Sequence, residues 1–366
     1  MNRLTSVNYG DGLTQSYTFD PMGNRLTMTD GQQHVSTYNN ANMLLTLDGN
    51  PYTNDFNGNT LAGGGRTNTW DSQNRLRQCV YGATVSQFTY GSDGLRRTSN
   101  VNGTIRKYIL DNGMMVRETD ANGVSQATYL AGLRGPEYRR DDVNGGIKWY
   151  IFDGLGSVVA EMDGYTGALT ASRKLDVYGA PRATQGTPSS KHAFVGNLGH
   201  TTEPDTGGLV YMRARWMDPV TGRFLSEDPA RDGANWFGYC GGDPVNAVDP
   251  SGRRAAMWSY AAWAAGMTCA LFAAMYQLPI AIVLAYQSAA VFLFGVALIG
   301  AHQSDLANIA ALVCTTAYAS IITEQTLCLE MLKRAPVLSN MSFAVGAINA
   351  YGIAVLAAVL ASDYLG

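Results

Sequence analysis

Along the first two hundred residues, apolar and polar positions alternate in short runs such as Ser16-Tyr17-Thr18-Phe19, divided by Gly- and Asn-rich punctuation. A period of two places successive side chains on opposite faces of a strand, and aromatic and β-branched residues favour that conformation. The punctuation recurs. Asn-Arg-Leu stands at Asn2-Arg3-Leu4, Asn24-Arg25-Leu26 and Asn74-Arg75-Leu76, with degenerate copies at Asn42-Met43-Leu44 and Asn59-Thr60-Leu61. Ahead of the copies stands an aromatic with Asp or Asn, as in Phe19-Asp20, Tyr38-Asn39, Asp55-Phe56 and Trp70-Asp71. The pattern predicts one short hairpin per unit: Asp-x-x-Gly-Asn makes the turn, because Gly and Asn tolerate positive φ, and the Leu begins the return strand. Such hairpins are marginal alone and gain stability by pairing edge to edge, so residues 1–200 are predicted to be an all-β repeat sheet.

The pattern changes twice further on. Between Asp205 and Gly252 four Asp-Pro pairs (Asp218-Pro219, Asp228-Pro229, Asp243-Pro244, Asp249-Pro250) stand among Arg and aromatic residues. Each Pro fixes its own φ and drives the preceding Asp out of the helical region, which predicts extended pieces and turns. From Ala255 through Ser304 there is no formal charge at all. Gln277-Leu278-Pro279 splits that run into pieces near 255–276 and 279–301, each long enough to cross a bilayer as a helix. Trp258, Tyr260 and Trp263 sit near one end, where interfacial aromatics belong. A third piece, 306–322, is shorter, and a fourth, 341–360, is long enough to span. Arg253-Arg254 favours a cytoplasmic start, whereas four crossings would put Lys333-Arg334 on the opposite side, so either the third piece does not cross or the charge rule is weak here.

Composition draws the same boundaries. Of 55 charged residues, 47 lie in residues 1–252, with 35 of 41 Gly and 10 of 12 Pro, while residues 253–366 hold eight charges. Three segments result: repeats at 1–200, an Asp-Pro-rich core at 201–252 and a hydrophobic helical tail at 253–366. A net charge of -3 supplies no general attraction for nucleic acid, so no nucleic-acid partner is expected for the chain as a whole. The five Cys are scattered without Cys-x-x-Cys or a His partner, so neither a disulfide framework, a metal site nor a cofactor is indicated. The Tyr residues read as strand packing and the Arg of Asn-Arg-Leu as a solvated or cross-strand partner; His34, His192 and His200 have no companion in local reach. The N-terminus holds no apolar run, so no ordinary signal peptide, and begins inside a repeat, which predicts a fragment of a longer protein or a truncated gene product.

The core stretch resembles the RHS-repeat-associated core of bacterial RHS and YD-repeat proteins. The resemblance lies in Gly208-Leu209, Tyr211, Arg213-Ala214-Arg215-Trp216-Met217-Asp218-Pro219, Thr221-Gly222-Arg223-Phe224, Asp228-Pro229, Gly233-Ala234-Asn235-Trp236, Asp243-Pro244 and Asp249-Pro250-Ser251-Gly252. Trp216-Met217 replaces the family's aromatic pair, and Asp243 its usual Asn. Trp149 to Val158 and Asp176 to Arg182 resemble two further family segments, and the hairpin units resemble YD repeats. What the resemblance implies is mainly β: a curved or shell-like hairpin sheet with a core plug, enclosing a C-terminal passenger that here is an all-α hydrophobic domain.

In many RHS proteins the core is an aspartyl autoprotease that cuts just after Asp-Pro-x-Gly. Such hydrolysis needs one carboxylate as base and one as acid, a division that two crowded Asp provide. The positions carried over are Asp228 and Asp249, with Asp232 able to replace either, Arg223 to hold a carboxylate, and Gly252 and Arg253 flanking the cut. Arg253 stands where the family usually has Leu. The competing reading makes the Asp-Pro pairs turn starts with Arg213, Arg215 and Arg223 as ion partners inside a non-catalytic plug. For the tail, a membrane-inserting toxin, a membrane anchor and a soluble helical bundle remain open. The implied partners are a membrane through 255–301 and 341–360, an immunity protein, and a carbohydrate or cell-surface ligand; the implied location is secreted or at a bacterial cell surface. The alternative function is a non-catalytic adhesion or carbohydrate-binding scaffold held by transmembrane helices.

Overall fold

The computed structural model describes residues 3–132, 135–253 and 256–257. The hairpin repeats build twenty strands, from Ser6–Asn8 to Pro181–Gly186, each hydrogen-bonded within its sheet to its neighbours in sequence order. Six form one sheet that ends at Asn50–Pro51, and fourteen form a second that begins at Thr53–Asn54. The pairings are antiparallel, as an uninterrupted run of hairpins requires.

The turn chemistry repeats. Asp20 accepts the Gly23 N–H at its carbonyl and the Asn24 N–H at Oδ1, 2.8 Å, and its own N–H donates to the Asn24 carbonyl. Asp55 does the same with Gly58 and Asn59, and Asp176 with Gly179 and Ala180. The fourth residue of each turn has positive φ, +89° at Gly23 and +79° at Gly58, with Asn42 and Asn74 filling the same place at 60° and 58°. Neighbouring turns are stitched to one another, since Asn24 Nδ2 donates to Asn42 Oδ1 and Asn59 Nδ2 to Asn74 Oδ1.

One face of the strands is buried and the other exposed. Along Thr14–Phe19, Gln15 and Tyr17 point inward while Thr14, Ser16 and Thr18 are exposed. Tyr17, Tyr108, Tyr129 and Tyr150 repeat that inward position, so the strand-packing reading of Tyr holds there. Against the inner face lie residues 187–253, built around a four-stranded sheet: Thr201–Glu203, Leu209–Met212, Arg215–Asp218 and Arg223–Phe224. The second and third of these strands are buried at every position, the sign of a sheet covered on both faces. Leu76, Cys79 and Phe88 of the repeats pack with Leu209, Tyr211, Trp216 and Leu225 of this core segment.

Arginines clamp the two layers together, and for Arg25, of an Asn-Arg-Leu unit, this corrects the expected solvated or cross-strand role. Arg66 pairs with Asp218 at 2.8 Å, Arg96 pairs with Glu203 at 2.7 Å, and Arg25 reaches the Val220 carbonyl; the three arginines are buried. Arg75, by contrast, stays partly exposed beside Asp71. The first and last hairpins also meet. Asp11 pairs with Arg182 and Lys174, Arg182 lies 3.7 Å from the Tyr9 ring centre, and the Val177 N–H donates to Tyr9 Oη. These contacts flank a cavity of about 300 Å³.

Of the hydrophobic tail, Arg253 and Ala256–Met257 are described, and the latter pair forms a short strand rather than the start of a helix. The predicted spans and the all-α domain otherwise lie outside the described residues. No helix among the described residues is long and apolar enough to cross a membrane.

Candidate active site

The Asp-Pro pairs do begin turns. Asp218 Oδ1 accepts the Val220 N–H at 3.0 Å, Asp228 Oδ1 the Ala230 N–H at 2.8 Å and Asp249 Oδ1 the Ser251 N–H at 3.3 Å. In each, the fixed Pro ring leaves the next free N–H within reach of the Asp carboxylate.

Two of these turns converge on one guanidinium. Arg215 opens the strand Arg215–Asp218, and its Nη2 lies 3.2 Å from Asp249 Oδ2 and 3.5 Å from Asp228 Oδ2. Its Nη1 donates to the Trp236 carbonyl at 2.9 Å, its Nε donates to the Gly252 carbonyl, and its planar head stacks 3.6 Å from the Phe224 ring centre. All three charged groups are buried. An Arg in a fully buried strand needs carboxylate partners, and its fork holds two at once.

Burial raises the Asp228 pKa, with Arg215 opposing and the neighbouring Asp249 and Asp232 adding to the rise. Arg215 is itself pushed down by burial, against the pull of Asp249 and Asp228. Asp249 Oδ1 also accepts the Arg253 N–H at 3.1 Å. Hence both sides of the Gly252–Arg253 peptide are held: its carbonyl by Arg215 and its N–H by Asp249. Gly252 adopts φ +70°, and the Ala214 N–H donates to the Ser251 carbonyl at 3.2 Å, tying this turn to the core sheet.

Asp228, Asp249, Gly252 and Arg253 are thus brought together. Asp232, half-buried, acts on the pair as a neighbouring negative charge. Arg223 is elsewhere. Its guanidinium reaches the Asn42 carbonyl and lies between the Tyr38 and Phe237 rings, 4.8 and 4.9 Å from their centres. The role predicted for Arg223 falls to Arg215. The available signal was local: Arg215-Trp216-Met217 sits in an apolar run that buries whatever charge it carries. Arg213 also turns away, with Nη2 on the Leu198 carbonyl.

The histidines have companions that sequence did not reveal. His34 Nδ1 is 2.6 Å from Asp48 Oδ2 across a hairpin. His192 is fully buried, 3.0 Å from Ser190 Oγ and edge-on to Tyr129, and burial lowers its pKa to about 4. His200 Nε2 lies 3.4 Å from the Pro250 carbonyl, and burial lowers its pKa to about 3. Among the described residues no group of His, Cys, Asp and Glu is arranged to hold a metal.

Comparison with known proteins places residues 1–233 within the family described as teneurin YD-shell. The sequence is 30% identical over 269 residues to the tRNA3(Ser)-specific nuclease WapA of Bacillus spizizenii, and equally to the tRNA nuclease WapA of Bacillus subtilis. These matches cover 69% of this chain and 11% of each relative, so the chain spans about a tenth of their length. Among solved structures, the crystal structure of TcdB2-TccC3-Cdc42 aligns over 66% of this chain and 17% of its own, at 15% identity and TM-score 0.42. The Photorhabdus luminescens Tc holotoxin pore carrying TccC3-D651A aligns over the same shares at 14% identity and TM-score 0.41.

Proposed function

Since this chain belongs to the teneurin YD-shell family, we propose that it is the wall and core of a bacterial RHS shell protein that cuts itself after Gly252 to free the tail it carries. In this reading residues 1–200 are the wall, 201–252 the core and 253–366 the passenger. The observation that carries it is the double grip on the Gly252–Arg253 peptide, beside two carboxylates sharing Arg215.

Asp249 takes a proton from water, which attacks the Gly252 carbonyl carbon. Arg215 Nε–H steadies the negative charge that develops on the carbonyl oxygen. Asp228, kept protonated to higher pH by burial and its acidic neighbours, supplies the proton that the departing Arg253 nitrogen requires. The C–N bond breaks, leaving an amine on Arg253 and a carboxylic acid on Gly252, which gives up its proton to the now ionised Asp228 and becomes a carboxylate. Because Asp228 serves as acid, cleavage slows as pH rises through its elevated pKa.

Expression of the full chain tests this reading by gel and mass spectrometry. A fragment of 114 residues beginning at Arg253 is expected, and it disappears in Asp228→Asn and Asp249→Asn. A wild-type chain that stays whole after folding sinks the reading.

The tail is assigned to a membrane on its fifty-residue uncharged run and its interfacial aromatics. Dye release from liposomes by the cleaved protein marks a membrane-inserting toxin, and binding without release marks an anchor. An immunity protein would then be the tail's partner, and the site of action outside or at the surface of the producing cell. The curated relatives are named as tRNA nucleases, so nucleic acid enters as a substrate of those longer proteins. A tail that degrades tRNA would replace the membrane assignment.

One observation favours the alternative scaffold reading. Leu130, Tyr138, Trp149, Met162 and Leu169 stand directly opposite one another across five strands, with Leu130, Trp149 and Leu169 exposed. A carbohydrate ligand would stack on Tyr138 and Trp149, and glycan binding by an uncut chain would select this function.

A further inference from the structure

We propose that His200 is a positioning residue for the self-cleavage, holding the Pro250 carbonyl so that the turn from Asp249 to Gly252 keeps its carboxylate against its own scissile peptide. This rests on the cleavage proposed above and adds to it a group that touches neither the water nor the bond that breaks.

In that reading the base and the carbonyl it acts on belong to one short turn. Such a turn needs an outside frame if the two are to stay in reacting geometry. Three consecutive carbonyls provide the points of attachment. The Gly252 carbonyl accepts Arg215 Nε–H, the Ser251 carbonyl accepts the Ala214 N–H at 3.2 Å, and the Pro250 carbonyl lies 3.4 Å from His200 Nε2. The first two donors are adjacent in the chain and grip the half of the turn nearest the cut. His200 comes from a different part of the core and grips the half nearest Asp249, where rotation of the Pro250–Ser251 peptide would move base and carbonyl apart.

The ring is placed for this by its backbone. Gly199 reverses the chain at φ +78°, and Thr201 then enters the core sheet opposite Tyr211. A carbonyl oxygen only accepts, so the contact with Pro250 makes Nε2 the protonated nitrogen. Nδ1 is then a bare acceptor, fully buried and without a partner among the described residues. An orphan of that kind destabilises a fold, and an apolar ring would fill the same space without it. What the imidazole offers in exchange is the Nε2 donor. Burial keeps it neutral, with its pKa lowered to about 3, so the donor is unchanged across the pH range in which Asp228 and Asp249 titrate against each other. At 3.4 Å the bond is long, as hydrogen bonds of catalytic sites are before the reacting groups close up.

Three single variants of the full chain test this: His200→Phe, His200→Gln and His192→Phe. The readout is the rate at which the intact chain disappears, with urea unfolding as the check on folding. His200→Phe keeps a ring and removes the donor, so cleavage is expected to slow about tenfold, the rate equivalent of one hydrogen bond. His200→Gln returns an N–H near the Nε2 position and is expected to recover to within about threefold of wild type. His192→Phe makes the same change at another fully buried histidine, which bonds Ser190 rather than the segment that is cut, and is expected to cut at the wild-type rate. A merely structural His200 would slow no more than His192 at equal loss of stability, and Gln would not rescue it. A further measurement leaves His200 in place: in the uncut Asp228→Asn chain, nitrogen NMR of isotope-labelled histidine is expected to find the His200 proton on Nε2. Wild-type cutting by His200→Phe, no recovery in His200→Gln, or a proton on Nδ1 overturns the inference. Should His200→Phe fail to fold, the Gln rate and the tautomer still decide. A wild-type chain that stays whole removes the cleavage reading and this role with it, whereas a cut wild type with an indifferent His200→Phe removes only the role of His200.

Discussion

Replacing Glu203 by Gln removes one charge from the clamp between core and repeats and changes almost nothing in shape. Glu203 is fully buried, 2.7 Å from Arg96 Nη1 and 2.6 Å from Lys191 Nζ, and Thr201 Oγ1 donates to it at 3.1 Å. Burial alone would raise its pKa. Arg96 and then Lys191 outweigh that and hold it at about 2, against an ordinary 4.5. At about 1.4 kcal/mol per pKa unit, that gap corresponds to about 3 kcal/mol of preference for the ionised form in the folded protein. The Gln variant forfeits it and strands Arg96, whose guanidinium lies under the Tyr108, Tyr211 and Trp216 rings. A loss of about 3 to 5 kcal/mol is therefore expected, the range for breaking a buried pair from one side. Urea unfolding followed by Trp fluorescence measures it. The sign with pH is fixed: a depressed carboxylate pKa gives stability that is present above 4.5 and lost as pH falls through about 2. The difference between wild type and Glu203→Gln should accordingly shrink below pH 4.5. A difference under about 1 kcal/mol at pH 7, or one that persists at pH 2, refutes the reasoning.

Three further outcomes are expected. Arg215→Lys keeps a charge but not the fork that spans Asp228, Asp249 and the Gly252 carbonyl, so self-cleavage should fall by about 100-fold or more while the fragment, where formed, is unchanged; equal rates would mean that charge alone suffices. His192 is held neutral by burial with a pKa lowered to about 4, so stability present above pH 6.5 drains away as pH falls through 4, by about 3 kcal/mol; His192→Gln should flatten that stretch of the stability curve. Leu76→Ala, at a position with no exposed surface, should cost about 2 to 5 kcal/mol in urea unfolding.

The hairpins were legible because their information is local. A turn such as Asp20 to Asn24 closes through its own five residues, and the inward Tyr17 declares itself by period alone. The Asp-Pro pairs were legible for the same reason, and the resemblance picked out Asp228 and Asp249. Local pattern fails when the partner is distant. Arg66 meets Asp218 and Arg96 meets Glu203 across more than a hundred residues, and no spacing rule connects them. The exchange of Arg223 for Arg215 has this origin. Both are buried, both flank Asp218 in sequence, and only the fold sends one to the paired carboxylates and the other to Tyr38.

The meeting of the first and last hairpins has a mechanical consequence. Within each sheet, separating adjacent strands means breaking a ladder of backbone hydrogen bonds. Between the two extremes of the array, Tyr17 packs edge-on against Tyr178 within a buried apolar cluster, and outside that cluster the Asp11, Arg182 and Lys174 charges add attractions that are open to solvent at Asp11 and Lys174. Mobile ions weaken such exposed attractions over about ten ångströms and leave ladders nearly untouched. Brine would thus loosen the outer, charged part of this junction while its apolar part holds, making ionic strength a dial on the rim of the seam rather than on the seam itself.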